Sequence, residues 1–165
     1  MLDLDFVMSK SKIITSVGLR LIDKNGKESK RPLPYDTVFD TGCTMTTMSV
    51  SLFNDLGYSY KNEAKITIIG VNGENEGKST VIDYFEVGGK DIGPVRIAVG
   101  RLHDNHKDRI ILGMNIIMWH HFSLDHMKKR ITLVERQLKN FDHGERYIIK
   151  DITTLNLSNI IVHEN

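Results

Sequence analysis

The residue best suited to do chemistry is Asp40, which follows an apolar run and begins the tripeptide Asp40-Thr41-Gly42. A carboxylate can take a proton from water, and a protonated carboxyl group can give one to a leaving group. Two carboxylates in contact cannot both ionise easily, so such a pair holds one proton and can fill both roles. Asp-Thr-Gly occurs once in the chain. If Asp40 works in such a pair, the sequence supplies one half of the site.

Two later segments fall at intervals that could bring them to the same site. About 30 residues after Asp40, the glycine-rich and acidic segment 72–77 separates two β-branched runs, 65–71 and 79–87. This pattern predicts a hairpin with a polar, mobile tip. About 70 residues after the aspartate, a second apolar run ends at Gly113. The hairpin and the glycine are candidates for parts of one site.

The rest of the chain has a texture of strands and turns, because β-branched runs alternate with glycine. Ser49 can cap a short helix that stops before Gly57, and residues 114–121 are a second candidate helix. The other predicted strands are residues 13–22, 37–40, 95–99, 109–112, 122–125 and 130–134. We predict a mainly β domain with one or two short helices, closed or barrel-like in form.

Composition narrows the classes of function. With 22 Lys and Arg against 21 Asp and Glu, the net charge is +1, so no strong field attracts nucleic acid or an anionic membrane. No apolar stretch approaches a membrane span, and the N-terminus lacks a signal-peptide pattern. A single cysteine excludes an intrachain disulfide and a multi-cysteine zinc site. We expect a cytoplasmic protein, with an anchor preceding residue 1 in a longer chain left open.

Taken in order, these features resemble the retropepsin-like aspartic proteases, the single-lobe relatives of pepsin. Residues 38–42 match the family pattern of two apolar residues followed by Asp-Thr-Gly. Residues 111–115 are similar to its second motif, an apolar pair and a glycine that opens a helix with Gly-x-Asn. Residues 122–133 are similar to the closing hairpin of bacterial members. The resemblance covers residues 12–134, most of the chain.

The resemblance implies an aspartic endopeptidase with a closed acid-protease β barrel, which acts as a homodimer on an extended peptide or protein. Water would be activated between two copies of Asp40, Thr41 would hydrogen-bond across the pair, and Gly42 would bring its backbone N–H to the carboxylate. Two hairpins would close over the substrate by strand addition. The implied hairpin residues are Ile69, Gly70, Val71, Asn72 and Gly73, and those of the second motif are Ile111, Leu112 and Gly113.

A second carboxylate within the chain is the alternative to a homodimer. Asp142 lies in Phe-Asp-His-Gly, which shares a pattern with the segment around Asp40. The flanks of this four-residue segment are polar where an apolar strand is needed, and only 21 residues follow the segment. We therefore expect the partner of Asp40 to be a second Asp40, related by a two-fold axis.

The seven histidines and the cysteine do not form another recognisable site. Zinc needs three or four converging ligands, so we expect neither metal nor cofactor. Cys43 follows Gly42 where the family usually has Ala or Ser, and we expect a small buried side chain rather than a nucleophile. The sequence leaves open whether this cysteine is sensitive to oxidation. The histidines close enough in sequence to be compared with a zinc site are His103 with His106, and His120 and His121 with His126.

Two questions stay open at this stage. The fold could instead serve as a catalytically silent module for dimerisation or peptide binding, although an intact Asp-Thr-Gly argues against that. We divide the chain into a protease domain, residues 1–134, and a C-terminal extension, residues 135–165, packed on the same domain. The extension could replace the terminal sheet of viral members, cover its edge, or block the cleft.

Overall fold

The structure, a computed structural model, describes residues 1–70, 73–102, 110–136 and residue 147. Strands dominate these residues, and two short helices interrupt them. The strands are β1 (Leu2–Asp5), β2 (Val7–Ser9), β3 (Lys12–Leu19), β4 (Leu33–Phe39), β5 (Thr47–Ser49), β6 (Ala64–Gly70), β7 (Gly73–Ile82), β8 (Glu86–Val87), β9 (Lys90–Asp91), β10 (Val95–Gly100), β11 (Ile110–Leu112), β12 (His120–Asp125) and β13 (Arg130–Glu135). The helices are α1 (Val50–Asp55) and α2 (Met114–Ile117). The expected mainly β fold with short helices is confirmed.

Ten strands form one large sheet in the order β6-β7-β10-β5-β11-β4-β3-β8-β9, with β2 added beside β3. At its centre β11 runs parallel to β4, and β10 runs parallel to β5. The strands β10 and β11 are almost wholly buried, in keeping with their continuous apolar sequences. The two edge strands of this sheet are β6 and β9. In the described part of the chain, no backbone hydrogen bonds pair them with each other.

The first helix follows its predicted signals. The Ser49 side chain accepts a hydrogen bond from the N–H of Leu52 at 3.2 Å and so caps α1. Gly57, at φ +73°, turns the chain after the helix, and its backbone passes so close to the carbonyl of Ile22 that a side chain would not fit. This packing fixes the return of the chain towards the next strand.

The second predicted helix is too long. The helix ends at Ile117, and His120 begins β12, which pairs with β13 in the closing hairpin. The prediction from residues 114–121 fails because long-range pairing with residues 130–135 overrides local helical preference. His120 and His121 consequently point to opposite faces of a strand, one buried and one exposed.

The predicted hairpin exists, but its tip is shorter than expected. Antiparallel pairing of β6 with β7 continues to Gly70 opposite Gly73, so the acidic segment after Gly73 belongs to a strand. Only residues 71 and 72 separate the two strands, and both lie outside the described residues. The predicted second strand, residues 79–87, is in fact two strands, since β7 ends at Ile82 and β8 begins at Glu86.

A second sheet of three strands has the order β1-β13-β12. It was not predicted in this form, because the resemblance begins at residue 12 and leaves β1 without an assignment. Its apolar face and the large sheet enclose a single core. The largest fully buried side chains include those of Trp119, Phe53, Phe85, Leu19 and Met48.

One side chain of the hairpin, that of Ile68 in β6, packs over two glycines of the neighbouring strands β7 and β10. The Cδ1 atom of Ile68 lies 2.7 Å from the position that a Cβ on Gly77 would take. At Gly100 the same methyl group would overlap an added Cβ even more closely, and nothing else crowds that position. Glycine at both positions thus lets the hairpin pack closely on β10.

We predict that Gly100→Ala lowers the free energy of unfolding by about 0.5–1.5 kcal/mol, because the new methyl group forces the half-buried Ile68 side chain out of its rotamer. Ile68→Val removes the Cδ1 atom responsible, so most of this cost should vanish when Gly100→Ala is made in that background. Urea unfolding of the four proteins in this double-mutant cycle measures both values. An equal cost in the two backgrounds would show that Ile68 does not position the hairpin.

Candidate active site

Asp40 directly follows β4, next to the end of β11, the strand that runs parallel to β4. In the register of β4 and β11, Phe39 lies opposite Leu112. The N–H of Asp40 donates to the carbonyl of Leu112 at 3.1 Å. Carboxyl ends of parallel strands meet at one edge, so Asp40 and Gly113, the next residue of each strand, emerge side by side. The first and third sequence motifs are therefore brought together.

The loop after Asp40 holds its carboxylate in place. The N–H of Gly42 donates to Asp40 Oδ1 at 2.8 Å, and the N–H of Cys43 donates to the Asp40 carbonyl at 3.3 Å. A Cβ on Gly42 would lie 3.2 Å from Oδ1, so a glycine allows this close approach. Asp40 is half-buried, whereas Thr41 and Gly42 are exposed. One carboxylate oxygen is thus fixed while the loop keeps an open side.

Gly113 binds this loop to the start of α2. A Cβ at Gly113 would approach the backbone of the loop, 2.6 Å from the carbonyl carbon of Met45 and 2.7 Å from the nitrogen of Thr46. The N–H of Gly113 donates to Thr46 Oγ1 at 3.1 Å, and the N–H of Met114 donates to the Cys43 carbonyl at 2.7 Å. The glycine is required here because backbone packs directly on backbone.

Asn115 ties three elements together from a buried position, with only 4% of its surface exposed. Its Oδ1 accepts from the N–H of Thr46 at 2.6 Å, and its Nδ2 donates to the carbonyl of Arg96 in β10 at 2.8 Å. Its own N–H donates to the Thr44 carbonyl at 3.1 Å. The sequence motif identified Asn115 only as part of a helix start. The available signal was an amide two residues after the glycine that follows an apolar pair.

Cys43 lies partly buried behind the carboxylate loop. Its Sγ donates to the carbonyl of Met45 at 3.1 Å and lies 3.8 Å from Thr47 Oγ1. Burial, with a smaller contribution from the negative charge of Asp40, raises the pKa of the Cys43 thiol above its usual range. A neutral thiol is a poor nucleophile, which agrees with the expected structural role.

The residues that the structure describes contain no cluster of acidic, histidine or cysteine side chains able to hold a metal ion. His120 is buried, its Nδ1 lies 3.0 Å from the carbonyl oxygen of Ile116, and its ring stacks on Tyr147 at 6.4 Å between centroids. His121 and His126 are exposed. The candidate pair His103 and His106 lies outside the described residues, as does Asp142. Within those same bounds, no helix is long and apolar enough to cross a membrane.

The structure describes only some of the residues that were predicted to contact the substrate from the hairpin. Ile69 is 75% exposed, and Gly70 pairs with Gly73, whereas Val71 and Asn72 lie outside the described residues. A cleft of about 630 Å³ lies between the hairpin and the end of β10. Its lining includes Ile66, Gly77 and Gly100 but none of residues 40–42. The candidate active site is therefore identified by the position of Asp40 and not by this cleft.

Comparisons with known proteins agree with this geometry. A family described as aspartyl protease matches residues 23–116. A retropepsin-like aspartic protease from Rickettsia conorii is similar in structure, with a TM-score of 0.53, 16% sequence identity, and coverage of 79% of this chain and 98% of that one. A protease of EIAV complexed with the inhibitor HBY-793 matches with a TM-score of 0.48, 23% identity, and coverage of 68% and 92%. No curated protein sequence matches. The Rickettsia structure confirms the predicted retropepsin-like fold.

We predict that Asn115→Ala lowers the free energy of unfolding by about 2–4 kcal/mol, since it leaves the N–H of Thr46 and the carbonyl of Arg96 buried without this partner. Urea unfolding measures the loss. The matched control is Asn54→Ala on the exposed side of α1, which should change stability by less than about 0.5 kcal/mol. Equal effects at the two positions would contradict the role of Asn115.

We predict that iodoacetamide alkylates Cys43 more slowly at pH 8 than it alkylates a free cysteine. The thiolate is the reacting species, and a raised pKa leaves less of it at that pH. The rate should keep rising with pH beyond the range in which a free thiol has already ionised. Mass spectrometry follows the modification, with denatured protein as the control. Faster reaction in the native protein would indicate an activated cysteine instead.

Proposed function

Since the match over residues 23–116 places this chain in the aspartyl protease family, we propose that it is an aspartic endopeptidase whose active site is completed by a second copy. The observation that carries the proposal is the position of Asp40. Its carboxylate is half-buried, is oriented by the N–H of Gly42, and lies beside the Gly113 turn. In the described part of the chain, no hydrogen bond joins this carboxylate to another acidic side chain.

A homodimer would supply the missing half by symmetry. In a C2 dimer the same loop meets its copy across the axis, so two Asp40 carboxylates can face each other. Thr41, exposed beside Asp40, is the side chain we propose to hydrogen-bond across this pair. The apolar strand under the loop would shield the pair from bulk water and so strengthen its hydrogen bonds.

The proposed reaction needs no covalent intermediate. One Asp40, unprotonated, takes a proton from a water whose oxygen attacks the scissile carbonyl carbon, while the other, protonated, gives its proton to the carbonyl oxygen. The Asp40 that took the proton from water then gives it to the amide nitrogen, and the other Asp40 takes a proton from a hydroxyl of the tetrahedral diol as the C–N bond breaks, which releases an amine and a carboxylic acid. The pair ends with the single proton with which it began.

An extended peptide or protein segment is the substrate that this architecture would accept. The hairpin carries β6 at the edge of the large sheet, where an added strand can hydrogen-bond to the backbone. The exposed Ile69 near its tip offers an apolar contact to such a segment. We propose that two hairpins, one from each copy, cover the bound peptide.

We predict that Asp40→Asn reduces the peptidase rate by at least about 100-fold, because an amide can neither accept the proton from water nor return it. Hydrolysis of a fluorogenic peptide library measures the rate. Asp36→Asn is the matched control, since Asp36 is an exposed carboxylate of the same strand. Excess Asp40→Asn protein mixed with the unaltered protein should also suppress activity by forming mixed dimers. Unchanged activity would disprove the mechanism, and a folded wild-type dimer without activity would favour a silent binding module.

A further inference from the structure

The cleft between the hairpin and the end of β10 plays no part in the proposed chemistry, because none of residues 40–42 lines it. Its volume of about 630 Å³ is typical of sites that hold a small organic molecule. Part of its wall is apolar and comes from Val50, at the start of α1, and from Tyr60. The ring of Tyr60 packs on that of the fully buried Phe53 at 4.7 Å between centroids, which fixes this wall to the core.

The charged side chains of the cleft are mostly cations. Lys65, Lys78 and Arg101 line it, against the single acidic residue Glu76. Lys65 lies directly opposite Lys78 in the pairing of β6 with β7, and like charges in that arrangement repel each other. Lys78 Nζ lies 3.0 Å from Glu63 Oε2, which offsets its charge. Within the described residues, the side chains of Lys65 and Arg101 form no ion pair. These residues therefore leave an excess of positive charge in the cleft.

The cleft lies on one face of the hairpin, and Ile68 lies on the other. Side chains alternate between the two faces of a strand, so Lys65 and Thr67 point away from the face that carries Ile68. Their cross-strand partners in β7 are Lys78 and Glu76, which share their face. All four of these residues line the cleft, whereas Ile68 does not. A ligand in the cleft would therefore contact the face of the hairpin that Ile68 leaves uncovered.

The outer part of the hairpin has little backbone support from the rest of the sheet. Pairing of β7 with β10 ends at Lys78 opposite Val99, and residues 73–77 pair with β6 alone. In the part of the chain that the structure describes, β6 in turn pairs only with β7. Ile68 supports one face by packing over Gly100. On the opposite face, the cleft lies between the hairpin and the start of α1.

From these observations we propose that the cleft binds a small organic anion with a carboxylate head and an apolar body, and that the bound anion holds the hairpin against the end of β10. The carboxylate would lie near Lys65 and Arg101 and would offset the repulsion between the facing lysines. The apolar body would cover Val50 and Tyr60. Such a ligand would connect two elements, because Lys65 belongs to the hairpin and Arg101 follows β10. The site is separate from Asp40 and does not depend on the proposed function.

A titration with 4-phenylbutyrate, followed by nuclear magnetic resonance of isotope-labelled protein, tests the site. The amide signals of residues 65–67, 76–78 and 99–101 should shift and reach saturation, because these residues line the cleft or adjoin its lining. The alcohol 4-phenylbutan-1-ol has a similar apolar body without the charge. It should bind at least about tenfold more weakly, because it cannot form charge-assisted hydrogen bonds with the cations.

A pair of double variants tests the role of the cations. Lys65→Gln combined with Arg101→Gln should raise the dissociation constant of 4-phenylbutyrate at least about tenfold, because both charged donors are lost. The matched control is Lys24→Gln combined with Lys27→Gln, which removes two charges from exposed positions between β3 and β4 and should leave the dissociation constant unchanged. Circular dichroism checks that both proteins fold, as expected for substitutions at exposed positions.

Hydrogen exchange tests whether the bound anion supports the hairpin. At ten times the dissociation constant, 4-phenylbutyrate should slow exchange of the N–H groups of residues 73–77 about tenfold, the factor expected when a ligand binds only the closed hairpin. Residues 126–129, in the turn between β12 and β13, are the internal control and should exchange at an unchanged rate.

The outcomes separate this inference from the proposed function. If 4-phenylbutyrate shifts none of the cleft signals, or if the uncharged alcohol binds equally well, the inference is wrong. Shifts confined to residues 40–45 would place the compound in the candidate active site, which overturns the inference and leaves the proposed function standing. Binding in the cleft without slower exchange would disprove the support of the hairpin. Asp40→Asn should bind 4-phenylbutyrate as the unaltered protein does, so a failure of the proposed peptidase mechanism would leave this site standing.

Discussion

The site depends on the parallel pairing of β4 with β11. Because these strands run in the same direction and end at the same level, the residue after each one, Asp40 or Gly113, enters the same small volume. The hydrogen bond from the Asp40 N–H to the Leu112 carbonyl extends the pairing by one step. Without this register the carboxylate would have no defined orientation towards the rest of the molecule.

Around that pairing, the loop after Asp40 is held almost entirely by backbone groups and one buried amide. Gly113 allows the start of α2 to touch the loop, and Asn115 connects the loop to β10. These contacts are short and directional, and they leave Thr41 and one side of the carboxylate exposed. The loop is held by hydrogen bonds on the side facing the core and is exposed on the opposite side, where the proposed function needs a second copy. That asymmetry is what a half-site requires.

Much of this could be predicted from the sequence because the decisive features are local. A buried strand that ends in Asp-Thr-Gly, an apolar pair before Gly113, and Ser49 before a short helix each carry their structural meaning within a few residues. The remaining features are products of long-range pairing. Residues 114–121 contain a helical pattern, yet β13 draws His120 into a strand. The role of Asn115 depends on Thr46 and Arg96, distant residues that no local pattern identifies.

The loop after Asp40 and the segment 110–115 that holds it are far apart in sequence. This separation has a consequence for biosynthesis. Asp40 acquires its position relative to the core only when residues 110–115 are in place, about seventy residues later in the chain. Contacts of such separation form late, since the loop between them must first lose its freedom. A nascent chain that ends before residue 110 therefore carries the complete Asp-Thr-Gly motif without an ordered carboxylate. The proposed hydrolytic activity would therefore be absent until translation has passed that point and the domain has folded.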